Sequence, residues 1–132
     1  MAVESSKIIE GLAFEITSGK FTVRSDVSVK DGGQDTAPNP HNYLEIALAA
    51  CTAITLQMYA QRKAIPLKYA DVKVKITVQG PAGNEMTREI QLVGDLTEEQ
   101  KQKLMEIAEK CPVHKFLSVA TRIQTTLVGA VS

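Results

Sequence analysis

Hydrophobic and polar positions alternate in the first part of the chain, as they do in strands that bury one face. Two short apolar segments, residues 12–17 and 21–27, are separated by the turn-forming sequence Ser18-Gly19-Lys20. This arrangement predicts a β-hairpin. The following segment, residues 31–40, is rich in Gly, Pro, Asp and Asn, a composition that predicts an irregular loop.

A long segment with helical periodicity follows this loop. Asn39 suits the N-cap and Pro40 suits the first helical position, so we predict a helix from about Pro40 to about Arg62. Its apolar positions cover much of the helix circumference, which implies burial on several sides. These positions are Tyr43, Leu44, Ala47, Leu48, Ala50, Cys51, Ile54, Thr55 and Met58.

The second half of the chain predicts a further hairpin, a second helix and a closing strand. Residues 70–78 alternate strictly, residues 80–84 are typical of a turn, and residues 86–93 suit a returning strand. Thr97 with Gln100 predicts a helix start through a capping box. Apolar residues at helical spacing then lead to an inward-facing Cys111, and residues 120–128 have strand character. The predicted order is β-β-α-β-β-α-β, a single α+β domain spanning residues 1–132 with a largely antiparallel sheet.

Composition narrows the classes of partner. The chain has 132 residues, of which 44% are hydrophobic, and its 15 basic residues balance 15 acidic ones. This balance argues against a nucleic-acid or anionic-membrane partner. The N-terminal residues show no secretory signal pattern, and the apolar helix with Glu45 suits a protein core better than a membrane span. We expect a cytoplasmic protein.

Only two cysteines occur, Cys51 and Cys111, and each lies on the apolar face of a predicted helix. A permanent disulfide is disfavoured in a reducing compartment, so the two thiols are reactive, metal-binding or inert. A zinc site with His41 and His114 is disfavoured, because Cys111-x-x-His114 is the only closely spaced ligand pair. No motif for a nucleotide or flavin is present, and we predict no bound cofactor and no metal.

The sequence around both cysteines resembles the OsmC/Ohr family, the osmotically inducible protein C and organic hydroperoxide resistance proteins. The resemblance rests on the Asn39-Pro40 helix entry followed by Ala-Leu-Ala-Ala-Cys51-Thr, and on Cys111-Pro112-Val113 after an amphipathic helix. The loop at residues 32–38 is similar to that of the less-characterised branches. The resemblance implies an OsmC-like fold in an intertwined homodimer, with long cysteine-bearing helices packed centrally and active sites at the subunit interface.

The resemblance also implies a function: a thiol-dependent peroxidase that reduces organic hydroperoxides, and hydrogen peroxide as a second substrate, in oxidative-stress defence. Cys51 would be the nucleophile that becomes a sulfenic acid, Cys111 would resolve it as a disulfide, and an external dithiol would restore both thiols. In the family an arginine and a glutamate activate the nucleophile. This chain has Pro40-His41-Asn42 where that glutamate is expected, which makes His41, Glu45 and Arg24 the candidates for activation.

Two alternatives remain open. The chain could be a noncatalytic OsmC-like protein that binds a small hydrophobic ligand at the dimer interface, or a structural dimeric module in which both cysteines serve packing. Free cysteine is among the most buried residue types, so a packing role is the ordinary expectation for a thiol among alanines. Proximity of the two sulfurs in the fold is the feature that discriminates these possibilities.

Overall fold

A computed structural model describes residues 2–132. Strands β1 to β3 precede a long helix, α1, and a hairpin, β4 and β5, separates α1 from helices α2 and α3. The elements are β1 (Ser5–Glu10), β2 (Ala13–Ser18), β3 (Phe21–Ser25), α1 (Pro40–Arg62), β4 (Leu67–Gly80), β5 (Gly83–Gly94), α2 (Glu98–Ala108) and α3 (Pro112–Leu117), with a 3-10 turn at Val29–Asp31. The molecule therefore has the predicted mixed α+β class, with antiparallel strands and a long helix.

The strands form two sheets. The first has the order β1-β2-β3, with antiparallel pairing throughout, and the second consists of β4 and β5. Strand β1 was not predicted from the sequence, because Ile8 and Ile9 are adjacent and interrupt the alternation expected of a strand. The register of β1 with β2 shifts between Ile8 and Glu10, which is consistent with this irregular pattern.

The prediction of a closing strand at residues 120–128 is wrong, because the segment after Ser118 contains no strand. Its aliphatic side chains, among them Ile123, Leu127 and Val128, are exposed. Alternation gives a segment the tendency to extend, but a strand also needs a hydrogen-bonded neighbour. Among the described residues, this segment has no such neighbouring strand.

The chain divides into two compact units, each made of two stretches of sequence. One contains the residues up to Ala50 together with Val72–Ile90, and the other contains Cys51–Asp71 together with Gln91–Ser132. Helix α1 and strands β4 and β5 each contribute residues to both units. The prediction of a single domain over residues 1–132 stays a prediction.

Local signals place both long helices as predicted. At the start of α1, the Asn39 side chain accepts from the Asn42 N–H group at 2.8 Å, and Asn42 accepts from the Asn39 N–H group at 3.1 Å. Thr97 and Gln100 form the predicted capping box at the start of α2. Such reciprocal bonds satisfy N–H groups that the helix itself leaves without partners, so these residues fix where each helix begins.

Helix α1 is only partly covered by the rest of the chain. Leu48, Leu56 and Ala60 are buried, whereas Ile54 and Met58 are more than half exposed. By length and composition alone α1 could cross a membrane, with a mean hydropathy of 1.3, and core helices of soluble proteins satisfy the same criterion. An apolar helix with exposed large side chains on several sides is typical of a surface that another chain covers.

Candidate functional site

Cys51 lies in the middle of α1 and is half-buried. Its Sγ is 3.9 Å from Oγ1 of Thr55, one turn further along the helix, and either atom can be the donor. Thr52, beside Cys51 in sequence, is fully buried. The helix therefore places the Thr55 hydroxyl beside the Cys51 sulfur.

Cys111 lies in the short connection between α2 and α3. Helix α2 ends at Ala108, and Pro112 begins α3, so Cys111 occupies the N-cap of α3 in a non-helical conformation. Its Sγ accepts a hydrogen bond from the His114 N–H group at 3.5 Å. The side chain is 0% exposed, as the periodicity of α2 predicts.

The fold brings the two sulfurs together although 59 residues separate them in the sequence. Cys51 and Cys111 form a side-chain hydrogen bond. Burial raises the pKa of the Cys111 thiol, and the bond with Cys51 raises it further, against a smaller lowering by the N–H groups of His114 and Val113. A raised pKa favours the protonated form of Cys111, which is the form that can donate a hydrogen bond to the Cys51 sulfur.

One further ionisable pair lies beside Cys111. Nε2 of His114 is 3.3 Å from Oε2 of Glu109, which orients the imidazole toward the end of α2. The backbone N–H of the same histidine is the group that contacts the Cys111 sulfur. His114 thus contributes to the site through its main chain, while its ring is engaged with a carboxylate.

Glu45, a predicted activating residue, has both carboxylate oxygens occupied. Oε2 accepts from the Ile76 N–H group of β4 at 3.0 Å, and Oε1 accepts from the Asn42 side chain at 3.0 Å. The bond from Ile76 is the largest cause of a lowered pKa for Glu45, followed by the bond from Asn42. Glu45 is thus an ionised acceptor that attaches the first turns of α1 to a backbone group of β4.

The other two candidates lie on exposed positions. His41 is exposed in the first turn of α1, and Arg24 is an exposed residue of β3. The Arg24 carbonyl accepts a hydrogen bond from the Tyr43 hydroxyl, so the contact between β3 and α1 uses the main chain of this residue. Activation of Cys51 by His41, Glu45 or Arg24 stays a prediction.

Sequence reasoning missed two contributors to these environments. Thr55 was interpreted only as part of the apolar face, although its position four residues after Cys51 is a signal for side-chain contact in a helix. Asp26 was assigned to a strand, but it lies beyond β3, is 2% exposed and accepts bonds from the loop that leads to α1. The loop's many Asn, Asp and Gly residues were the available signal for such an anchor.

A model of the family described as OsmC-like protein matches residues 32–126, which include both cysteines and most of the chain. The chain belongs to the OsmC-like protein family. No functionally curated protein matches it significantly.

Solved structures of OsmC-like and related proteins share this fold. A protein from Psychrobacter arcticus, described as induced by osmotic stress and responding in detoxification, has a TM-score of 0.75 at 18% identity, covering 91% of this chain and 89% of its own. An organic hydroperoxide resistance protein OsmC from Legionella pneumophila has a TM-score of 0.62 at 19% identity, with 88% and 90% covered.

A third similar structure is an organic hydroperoxide resistance protein from Elizabethkingia anophelis, solved with thiocyanate bound. Its TM-score is 0.58 at 21% identity, and the match covers 83% of this chain and 89% of that protein. At these identities the likeness establishes the OsmC-like fold. Two of these structures are of proteins named for resistance to organic hydroperoxides, and that name describes those proteins.

Proposed function

We propose that this OsmC-like protein is a thiol-dependent peroxidase that reduces organic hydroperoxides, and hydrogen peroxide as a second substrate, in oxidative-stress defence. One observation carries the proposal: the two cysteines of the chain are distant in sequence and hydrogen-bonded in the fold. A packing role for either thiol would not require the other beside it. The names of structural relatives as organic hydroperoxide resistance proteins support the choice of substrate.

The chemistry divides into two steps on the protein. The Cys51 thiolate attacks the terminal peroxide oxygen, an S–O bond forms and the O–O bond breaks. The departing alkoxide takes a proton from solvent, which replaces the one that Cys51 released on ionising, and leaves as an alcohol. Cys111 then attacks the sulfur of the Cys51 sulfenic acid, so that an S–S bond forms and the S–O bond breaks. The hydroxide leaves as water with the proton of Cys111.

A dithiol reductant closes the cycle. Its first thiolate attacks the disulfide, its second thiol displaces the protein, and the reductant leaves as its own disulfide with Cys51 and Cys111 reduced. The protein binds no cofactor in this scheme. A cytoplasmic location fits it, because the thiols must be reduced again after each turnover.

A homodimer is part of the same proposal. Helix α1 exposes Leu44, Ile46, Ile54 and Met58, and burying such side chains against a second copy is favourable at about 25 cal/mol per Å² of apolar surface. The extended segment at residues 120–128 supplies a second argument. Its alternating, exposed aliphatic side chains suit a strand that pairs with the partner subunit, which accounts for the strand pattern that the protomer leaves unpaired.

Mass spectrometry of the reduced protein after one equivalent of cumene hydroperoxide tests this function, with hydrogen peroxide in parallel. The expected product is a Cys51–Cys111 disulfide that forms faster with the organic peroxide and is absent in Cys51→Ser. The matched Cys111→Ser variant should stop at a Cys51 sulfenic acid. If both thiols stay reduced through a long incubation, the peroxidase proposal fails and the noncatalytic ligand-binding alternative becomes the better account.

A further inference from the structure

The immediate surroundings of the Cys51 sulfur pose a chemical problem for a peroxidase. Attack on a peroxide needs a thiolate, and a free thiol with a pKa of about 8.5 is mostly protonated at neutral pH. Cys51 lies at the twelfth position of α1, beyond the first turn where the helix dipole would stabilise a negative charge. Some other group must therefore favour the charged form.

Two neutral donors lie beside this sulfur. Thr55 Oγ1 is 3.9 Å away, and the S–H group of Cys111 forms the hydrogen bond described above. The carboxylate of Glu45 is bonded through its two oxygens to the Ile76 N–H group and the Asn42 side chain. The contacts around Cys51 thus offer hydroxyl and thiol donors.

The direction of the thiol–thiol bond follows from what surrounds each sulfur. Cys111 is fully buried, whereas Cys51 is only half-buried. A negative charge therefore costs more free energy on the Cys111 sulfur than on the Cys51 sulfur. The His114 N–H group at 3.5 Å also occupies the Cys111 sulfur as an acceptor, which leaves its S–H free to point elsewhere. A chain of donors therefore runs from the His114 N–H through the Cys111 S–H to the Cys51 sulfur.

We propose that the Cys111 S–H group donates to the Cys51 sulfur before peroxide arrives and thereby stabilises the Cys51 thiolate, so that the resolving cysteine is also an activating one. This inference rests on the proposed function and deepens it. The same proton then takes part in the second step. When Cys111 attacks the sulfenic acid, its proton leaves with the hydroxide as water, and the donor becomes the nucleophile without any outside base being consumed.

Two variants of Cys111 distinguish a cysteine that acts only in disulfide formation from one that also activates Cys51. Cys111→Ser keeps an O–H donor at this position, and Cys111→Ala removes it, while both variants leave Cys51 as the only thiol in the chain. A pure resolver would make the two variants equal in the first step. An activating donor makes Cys111→Ala slower.

The experiment measures two properties of Cys51 in both variants. The first is the rate of alkylation by iodoacetamide against pH, which gives the Cys51 pKa without any peroxide. The second is the rate of sulfenic acid formation in a single turnover with cumene hydroperoxide, read by mass spectrometry. We expect Cys111→Ala to have the higher Cys51 pKa and a sulfenic acid rate roughly three- to tenfold lower at neutral pH, the size expected of a weak donor.

Equal pKa values and equal first-step rates in the two variants would overturn the inference and leave the peroxidase proposal standing. A pKa difference without sulfenic acid in either variant would support the donor role and contradict the peroxidase function. If Cys111→Ala does not fold, Cys111→Val takes its place, because valine fills the buried position without a donor. Thermal unfolding of each variant verifies that the comparison concerns folded protein.

Discussion

Asp26 and Cys111 are both buried ionisable residues, and their surroundings shift their pKa values in opposite directions. Asp26 accepts hydrogen bonds from three residues of its loop, and the Thr36 side chain is the largest cause of its lowered pKa. Cys111 is fully buried, and burial is the largest cause of its raised pKa. Hydrogen-bond donors thus lower the pKa of the Asp26 carboxyl, whereas desolvation raises that of the Cys111 thiol.

The two buried groups therefore have different roles: Asp26 is structural, and Cys111 is the one proposed to react. The Asp26 carboxylate receives Oγ1 of Thr36 at 2.6 Å and the N–H groups of Val27 at 2.8 Å, Thr36 at 3.1 Å and Gln34 at 3.3 Å. These four bonds hold the loop around the Asp26 carboxylate. The protonated Cys111 thiol, in contrast, can donate a hydrogen bond to the neighbouring Cys51 sulfur.

Removing the Asp26 carboxylate should have the largest effect on stability. Asp26→Ala leaves several N–H groups of the loop without their acceptor, and we expect a Tm lower by roughly 10 °C. Asp35→Asn is the matched control, because Asp35 is an exposed carboxylate of the same loop with a φ of 57° that asparagine also adopts. A Tm for Asp26→Ala equal to that of the control would contradict the anchoring role.

Glu45 offers a smaller version of the same test. Glu45→Ala removes the acceptor of the Ile76 N–H group, and we expect a loss of about 1–2 kcal/mol in the free energy of unfolding, measured in urea. Glu45→Gln keeps one acceptor oxygen and should lose less. Glu89→Gln, on an exposed position of β5, provides the surface control. If Glu45→Ala is fully stable but abolishes sulfenic acid formation, Glu45 is an activating residue and the structural assignment is wrong.

A neutral cap gives the reference against which the charged acceptors are compared. Thr97→Ala removes the side chain that accepts from the Gln100 N–H group at 3.1 Å, and we expect a loss of about 1 kcal/mol. Thr97→Ser should restore the stability of the original chain, because serine caps equally well. Urea denaturation of the three proteins checks this, and a Thr97→Ala variant as stable as the others would refute it.

Because the pKa shifts have opposite directions, we expect the carboxylates to lose their stabilising contribution at acidic pH and Cys111 to lose its contribution at alkaline pH. Asp26 and Glu45 have lowered pKa values, so their contribution is present above the unfolded-state pKa and is lost as pH falls through the folded-state value. Cys111 has a raised pKa, so its contribution is present below the unfolded-state pKa and is lost as pH rises through the folded-state value.

The loss of stability at alkaline pH is the smallest of the expected effects. Cys111→Ser replaces the titrating thiol by a hydroxyl, and its stability should fall less than that of the original chain between neutral pH and about pH 11. Urea denaturation across this range measures both proteins. Parallel curves for the two proteins would show that Cys111 does not lose a proton preferentially on unfolding.

The features that sequence reasoning located are those with local signals. The limits of α1 follow from Asn39-Pro40 and a helical pattern, and the start of α2 follows from a capping box within four residues. The inward position of Cys111 follows from the periodicity of α2. In each case the residues that decide the structure are close neighbours in the chain, so the pattern carries the information.

The features that it did not locate depend on distant partners. Glu45 bonds a backbone group 31 residues away, and no pattern around Glu45 distinguishes that acceptor from a catalytic one. Residues 120–128 have the alternating pattern of a strand, but the described residues supply no strand to pair with them. The contact between Cys51 and Cys111 was expected through the family resemblance, because 59 intervening residues leave no local signal for it.

The number of thiols lost for each peroxide consumed tests the central claim most directly. Reduced protein is treated with a substoichiometric amount of cumene hydroperoxide, denatured, and titrated for free thiols. Joint action of Cys51 and Cys111 predicts two thiols lost for each peroxide, with full recovery after dithiothreitol. No loss of thiols, or the loss of one thiol that dithiothreitol does not restore, would contradict the account.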